Sequence, residues 1–197
     1  IYRGIGSIKY LNTTIGDELF ALKSNVYDSF LDLLIDIKTK VNCNTKQLDL
    51  LIKINFFNEF GSVKNLLYIT YLYNKLYGKK SLSKDKLEDL GLTLDQILPY
   101  GTETEKQISK LDSFGLLNNL VKNISDDEFS TIELIQMQKE VLGYVDYVNP
   151  KLDKKLCLVN SFDSKYNTKK LSLYCLNNGK TVDFKLYDKV FKTKPIK

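Results

Sequence analysis

The 197-residue chain contains no histidine. That removes the usual general base, the Ser–His and Cys–His nucleophile pairs, and the commonest metal ligand. Cysteine is scarce: Cys43, Cys157 and Cys175 lie far apart and show none of the close spacings of a zinc site. An odd thiol count without a secretory signal fits a reduced, cytoplasmic setting, with the three cysteines acting as buried small hydrophobes. No apolar run approaches the roughly 18 residues of a membrane span, so no membrane partner is expected. Glycine-rich phosphate loops, low-complexity tracts and solenoid repeats are also missing. The first residue is Ile1, which leads to the expectation that the chain begins inside a longer protein.

What is present is a globular composition, 43% hydrophobic, with an uneven spread of charge. Residues 1–80 carry eleven Lys/Arg against seven Asp/Glu, residues 81–150 six against thirteen, and residues 151–197 twelve against four. Two basic segments flank an acidic one, an arrangement suited to meeting a polyanion at two places. The densest acidic cluster, Asp126, Asp127 and Glu128, directly precedes a helix-start signal. Its expected role is to complement the dipole of the helix that follows.

Residues 1–80 read as short helices joined by tight turns. Leu31, Leu34 and Ile35 share one helical face, as do Leu48, Leu51 and Ile52. Asn44 and Gln47 form a capping-box pair before the second group, and Ser62 can cap a third helix. That helix carries Leu66, Ile69, Tyr73, Leu76 and Tyr77 as an apolar stripe for the core. Residues 81–150 read as a helical connector, with capping-box spacings at Thr93/Gln96, Thr102/Glu105 and Ser130/Glu133 and a break at Pro99 and Gly101. The last connector helix, from about Ser130 to Leu142, places Leu134, Met137 and Val141 on one face and stops at Gly143. After Pro150 the period changes to two, around Leu156 and Leu158, then Leu171, Leu173 and Cys175, then Val182, Phe184 and Leu186. Asn178-Gly179 marks a hairpin between the last two runs, and a fourth strand is expected near Val190 and Phe191. The fold class is therefore α+β and mostly α, with a small antiparallel β-region at the end.

Two segments share a helix–turn–helix plan with a lysine beside the turn. In the first, Lys9, Tyr10, Leu11, Asn12 and Thr13 form the turn, with Leu11 as the apolar anchor and Asn12 in the left-handed conformation. In the second, Lys53, Ile54, Asn55, Phe56 and Phe57 form the turn, with Asn55 in the left-handed role, and Lys64 follows. Such turns expose backbone N–H groups beside a helix N-terminus, where phosphate oxygens bind without base readout. By themselves these residues leave the matter open, because helix pairs that merely pack are far commoner.

Several blocks carry a resemblance. Gly4-Ile5-Gly6-Ser7-Ile8-Lys9 is similar to the Gly-Leu-Gly-Ala-Ile-Lys segment after the fingers in the alpha subunit of bacterial and phage DNA polymerase III, the C-family replicative polymerases. Phe30-Leu31-Asp32-Leu33-Leu34 resembles the family's following Phe-x-x-Leu-x-Asp-Phe stretch. Asn44, Leu48, Leu51, Ile52, Lys53, Phe57 and Gly61 match its next block in order and spacing. Glu140-Val141-Leu142-Gly143-Tyr144 with Pro150 resembles the signature that leads into its OB domain. Tyr10, Asn12 and Asn55 stand where the family has hairpin glycines.

The resemblance implies a tandem helix-hairpin-helix domain over 1–80, a helical connector over 81–150, and a partial, truncated OB fold over 151–197. It implies duplex DNA held by its backbone behind the polymerase active site during replication, through Lys9, Tyr10, Leu11, Asn12, Thr13, Lys53, Ile54, Asn55, Phe56 and Lys64. The palm aspartates and their Mg²⁺ ions belong upstream of Ile1 in the parent nucleotidyltransferase, so no catalytic residue, metal site or cofactor is expected in this segment. Implied partners are duplex DNA, the rest of the polymerase chain, the sliding clamp and other replisome subunits. Gln107 to Phe114 is the nearest candidate for a clamp-binding peptide, with a spacing that departs from it. The alternative is a helical interaction or scaffold module that contacts replisome partners and barely touches DNA.

Overall fold

A computed structural model describes residues 4–163 and 168–187 and divides into two compact units, residues 1–133 and 134–197. The first unit opens with a 3-10 turn at Ile5–Ser7 and continues through α1 (Thr13–Ala21), α2 (Phe30–Lys40), α3 (Thr45–Lys53) and α4 (Val63–Leu76). Caps set these boundaries. Asn12, Ser29, Asn44 and Ser62 each accept a backbone N–H of the following first turn, and Asn44 and Gln47 complete the expected capping box. Leu31, Leu34, Ile37, Leu48, Leu51, Ile52, Leu66, Leu72 and Leu76 are almost wholly buried and form the core that these helices share. Phe30 adds a tilted contact with Phe57, ring centroids 5.6 Å apart. The apolar stripe of α4 is buried at Leu66, Ile69, Tyr73 and Leu76, while Tyr77 is exposed and stacks on Tyr73 at 4.5 Å.

The region after residue 80 is not the purely helical connector expected, nor does a unit boundary fall there. It contains β1 (Ser81–Ser83), the short helix α5 (Leu94–Ile97), β2 (Thr102–Glu103), β3 (Gln107–Ser109) and α6 (Ser113–Lys122). The three strands form an antiparallel sheet in the order β1-β3-β2, with Leu82 opposite Ile108 and both buried. Thr93 and Gln96 make the expected capping box. Thr102 does not: it lies in β2, and Thr104 closes a hairpin by bonding to the Gln107 carbonyl at 2.8 Å. Gly101 ends the helical turn at Leu98–Tyr100, as expected, and also allows close approach, because a Cβ there would collide with the Ile108 side chain. Strands of two or three residues carry too few positions for a period of two to be visible, which is why capping spacings dominated the reading. The Gln107 to Phe114 stretch supplies β3 and the start of α6, with Ile108 in the core.

The helix α7 (Thr131–Leu142), most of which belongs to the second unit, ends at Gly143, whose φ of 77° is the left-handed cap expected there. Its capping box is also present: Glu133 accepts the Ser130 N–H at 2.8 Å. Its best-buried side chains are Ile135 and Gln138, with Leu134, Met137 and Val141 half-buried. The amide oxygen of Gln138 accepts the Asp146 N–H, so this polar side chain is buried with a partner. The meander β4 (Cys157–Asp163), β5 (Thr168–Cys175) and β6 (Thr181–Tyr187) follows, antiparallel and in sequence order, with a register shift between Val159 and Ser161. The hairpin falls at the expected Asn178-Gly179, with Gly179 at φ 69° and its N–H bonded to the Cys175 carbonyl. The expected fourth strand near Val190 and Phe191 lies outside the described residues.

The core prediction follows from Leu34, which is fully buried in α2. Leu34→Ala is expected to destabilise the first unit by about 2–5 kcal/mol through lost burial and a residual cavity. Urea denaturation followed by far-UV circular dichroism measures it.

Candidate nucleic-acid interface

The first turn is built as a sharp bend ahead of α1. The Leu11 N–H bonds to the Ile8 carbonyl at 3.0 Å, and the residue forced into the left-handed region is Tyr10, at φ 72°. The expectation had placed Asn12 in that role. Asn12 is instead extended, at φ −126°, because its side chain must reach forward to accept the Ile15 N–H at 2.9 Å. The cap and the left-handed bend are thus two residues apart, and the bend falls on the tyrosine. Leu11 is buried, as expected of an anchor, while Tyr10 is 68% exposed. Among the described residues, the N–H groups of Asn12, Thr13 and Thr14 have no partner, and all three residues are exposed. Lys9 lies beside them with its ammonium 4.9 Å from the Tyr10 ring centroid. Gln47, besides closing its own capping box, donates from Nε2 to the Tyr10 carbonyl at 2.9 Å. One side chain therefore ties the first turn to the start of α3.

The second turn has a different construction. Asn55 is left-handed, at φ 64°, as expected. Around it the Asn55 N–H bonds to the Ile52 carbonyl at 2.8 Å, the Phe56 N–H to Leu51 at 3.0 Å and the Ile54 N–H to Leu50 at 3.1 Å. This is a Schellman termination of α3. It turns the amides of Ile54, Asn55 and Phe56 back onto the helix they follow, and none of them is offered outward. Phe57 rather than Phe56 is the buried anchor. Lys53 is half-buried, and its charge partly offsets the burial that raises the Asp49 carboxyl above the usual carboxylate range.

The N-terminus of α4 is occupied by the chain's own acids. The Glu128 carboxylate accepts the Val63 N–H at 3.0 Å and the Lys64 N–H at 3.2 Å. The Lys64 ammonium pairs with Asp127, the Ser62 hydroxyl donates to the Asp127 carbonyl, and Asn65 donates from Nδ2 to the Ser125 carbonyl at 2.9 Å. Asp127 and Glu128 therefore serve the start of α4, more than sixty positions away in sequence, in addition to preceding α7. Sequence proximity pointed only to the nearer helix. The contact with Lys64 holds the Asp127 carboxyl below its ordinary range and raises the Lys64 ammonium above its own. Glu133 is lowered by the hydroxyl and backbone N–H of Ser130.

Of the ten sequence-predicted residues, Lys9, Tyr10, Asn12 and Thr13 lie at the unpaired amides of the first turn, Leu11 is buried there, and Lys53 is half-buried at the end of α3. Ile54, Asn55 and Phe56 present no free amide, and Lys64 has an acidic partner. Thr14, which adds a third open amide, was missed. Its signal was available, since it is the second helical residue after an Asn cap. Among the described residues, no group of three or more metal-ligating side chains comes together, and no helix is long and apolar enough to cross a membrane. Comparison with protein-family models, curated proteins and solved structures finds no match.

The brace between the acids and α4 has a defined pH window. A carboxyl lowered on folding stabilises above its unfolded pKa and loses that contribution as pH falls through its folded value; a raised lysine contributes below its unfolded pKa and loses it as pH rises through its folded value. Asp127 and Glu133 belong to the first class and Lys64 to the second. The Asp127–Lys64 contact is therefore expected to persist near neutrality and to be lost below the ordinary carboxylate range. Side-chain chemical shifts of Asp127 followed against pH measure this.

Proposed function

We propose that this chain is a non-catalytic segment that holds the backbone of duplex DNA without reading its sequence, as in a C-family replicative polymerase behind the active site. The supporting observation is the first turn, where the N–H groups of Asn12, Thr13 and Thr14, at the start of a nine-residue helix, have no partner among the described residues and lie close in the chain to Lys9. Amides so placed bind phosphate oxygens through hydrogen bonds and the helix dipole, and lysine adds charge without base specificity. In this reading the first turn is the primary contact. The α4 start is a second phosphate position already filled by Glu128, and DNA must displace that carboxylate to use it. The three-stranded meander is read as the beginning of an OB fold, with the rest of the parent polymerase supplying Mg²⁺ and catalysis.

A second reading has one specific observation in its favour. Leu19, Phe20, Tyr27, Phe56 and Phe60 line an apolar groove of about 740 Å³ in the first unit, with Phe20 64% exposed. Such a groove suits an interaction module that binds a protein partner and contacts DNA little.

Titration of a labelled duplex at several salt concentrations distinguishes the two. The DNA reading expects affinity to fall steeply with salt, and Lys9→Ala to make the log–log slope shallower by about 1 for every duplex tested. Salt-independent binding, or a strong preference for one sequence, would overturn it. Replacing both acids, Asp127→Asn with Glu128→Gln, is expected to release Lys64 and the α4 amides, tightening duplex binding several-fold and steepening the slope by about 1. An unchanged affinity and slope would remove α4 from the interface.

A further inference from the structure

Cys157 opens β4 and Cys175 closes β5, and the two are direct cross-strand partners in the antiparallel register. Their sulfurs lie 3.2 Å apart and both thiols are free. The adjoining positions are joined by the Leu176 N–H bonding to the Leu156 carbonyl. Hydrogen-bonded and non-hydrogen-bonded pairs alternate along an antiparallel ladder, so this contact puts the cysteines at a narrow, non-hydrogen-bonded position, where Cα atoms approach to about 4.5 Å. A disulfide requires Cα atoms about 4.4–6.8 Å apart and a sulfur separation of about 2.0 Å. The sulfurs therefore need to close by about an ångström, which side-chain rotation supplies without a change of strand register.

We propose that Cys157 and Cys175 form a reversible intramolecular disulfide site, oxidised by a low-molecular-weight disulfide of the glutathione class. One cysteine, as thiolate, attacks a sulfur of the oxidant; the S–S bond of the oxidant breaks and one thiolate leaves. The second cysteine then attacks the protein sulfur of the mixed disulfide and expels the other half. Two electrons pass from the two protein sulfurs to the oxidant, and the two thiol protons end on the two released small thiols. Both cysteines are half-buried, within reach of a small oxidant, while Cys43 is buried in the first unit between α2 and α3. The molecule therefore carries its own unreactive control.

The bond would join β4 to β5 across a loop of intervening chain that includes the register shift at Val159/Ser161. A covalent tie between the two strands restricts the unfolded chain that separates them. The site is thus a redox-controlled setting of the rigidity of this sheet, independent of whether the chain binds DNA.

The test equilibrates the full chain with mixtures of oxidised and reduced glutathione, then blocks free thiols and maps them by peptide mass spectrometry. The expected result is a Cys157–Cys175 cross-linked peptide, with Cys43 alkylated in every mixture and full reversal by dithiothreitol. The oxidised chain is expected to show slower amide exchange in β4 and β5 than the reduced one. Cys175→Ser is expected to stop at a glutathione adduct on Cys157, without a cross-link. Three alkylated thiols under the most oxidising mixture, or a cross-link involving Cys43 or a second chain, would overturn the proposal.

Discussion

The supply of partners for backbone amides at helix starts and ends governs what this molecule can present to a ligand. A helix leaves four N–H groups without intrahelical partners at its start, and burial or function decides who satisfies them. In this chain the answer differs at each helix. At α1 a single Asn12 side chain takes one amide and leaves those of Asn12, Thr13 and Thr14 without a partner among the described residues. At α3 the box of Asn44 and Gln47 takes the amides of those two residues and leaves those of Thr45 and Lys46 without a partner among the described residues, while the Schellman turn at Asn55 folds the amides at the other end inward. At α4 the chain uses Ser62 together with the carboxylate of Glu128. The two turns of related plan thus differ, the first leaving helix-start amides unpaired and the second folding its amides inward, and the α4 start that follows the second is an occupied anion position.

The occupied position gives the uneven charge of the sequence a physical role. The acidic middle segment does more than separate two basic ones. It supplies the anions that neutralise the start of α4, and Asp127 neutralises Lys64 as well. An exposed ion pair of this kind adds little to stability on its own. Its importance is competitive, since a carboxylate already seated on backbone amides must leave before a phosphate can take its place. The Gln47 bridge to the Tyr10 carbonyl acts in the opposite sense, holding the first turn against the start of α3 without consuming its unpaired amides.

Much of the local architecture was legible in the residues. Helix starts at Asn44, Ser62, Thr93 and Ser130 follow from short side chains that accept backbone N–H groups, an interaction confined to a few neighbouring positions. The Asn178-Gly179 hairpin and the Gly143 stop follow from residues that tolerate a left-handed backbone. Where reading failed, competing local signals overlapped. Asn12 could serve as a cap or as a left-handed residue, and the cap won because Tyr10 absorbed the bend. Thr102 and Glu105 had capping-box spacing, yet close packing of Gly101 on Ile108 draws that segment into a strand. The two turns divided in the same way: the helix-start amides of the first have no partner among the described residues, while the second lost its amides to the helix before it.

The sequence by itself determined where the capped helices and the strands of the last meander begin, which apolar faces turn inward, and that histidine chemistry is absent, because each depends on residues within about one turn or one hairpin. Only the tertiary structure decided that Glu128 caps a helix sixty-four positions upstream and that Cys157 faces Cys175 across two strands. It also decided that β1 pairs with β3 across an intervening helix. Those pairings depend on how the chain folds back on itself, and packing chooses among many possible returns without leaving a spacing in the sequence to mark the choice.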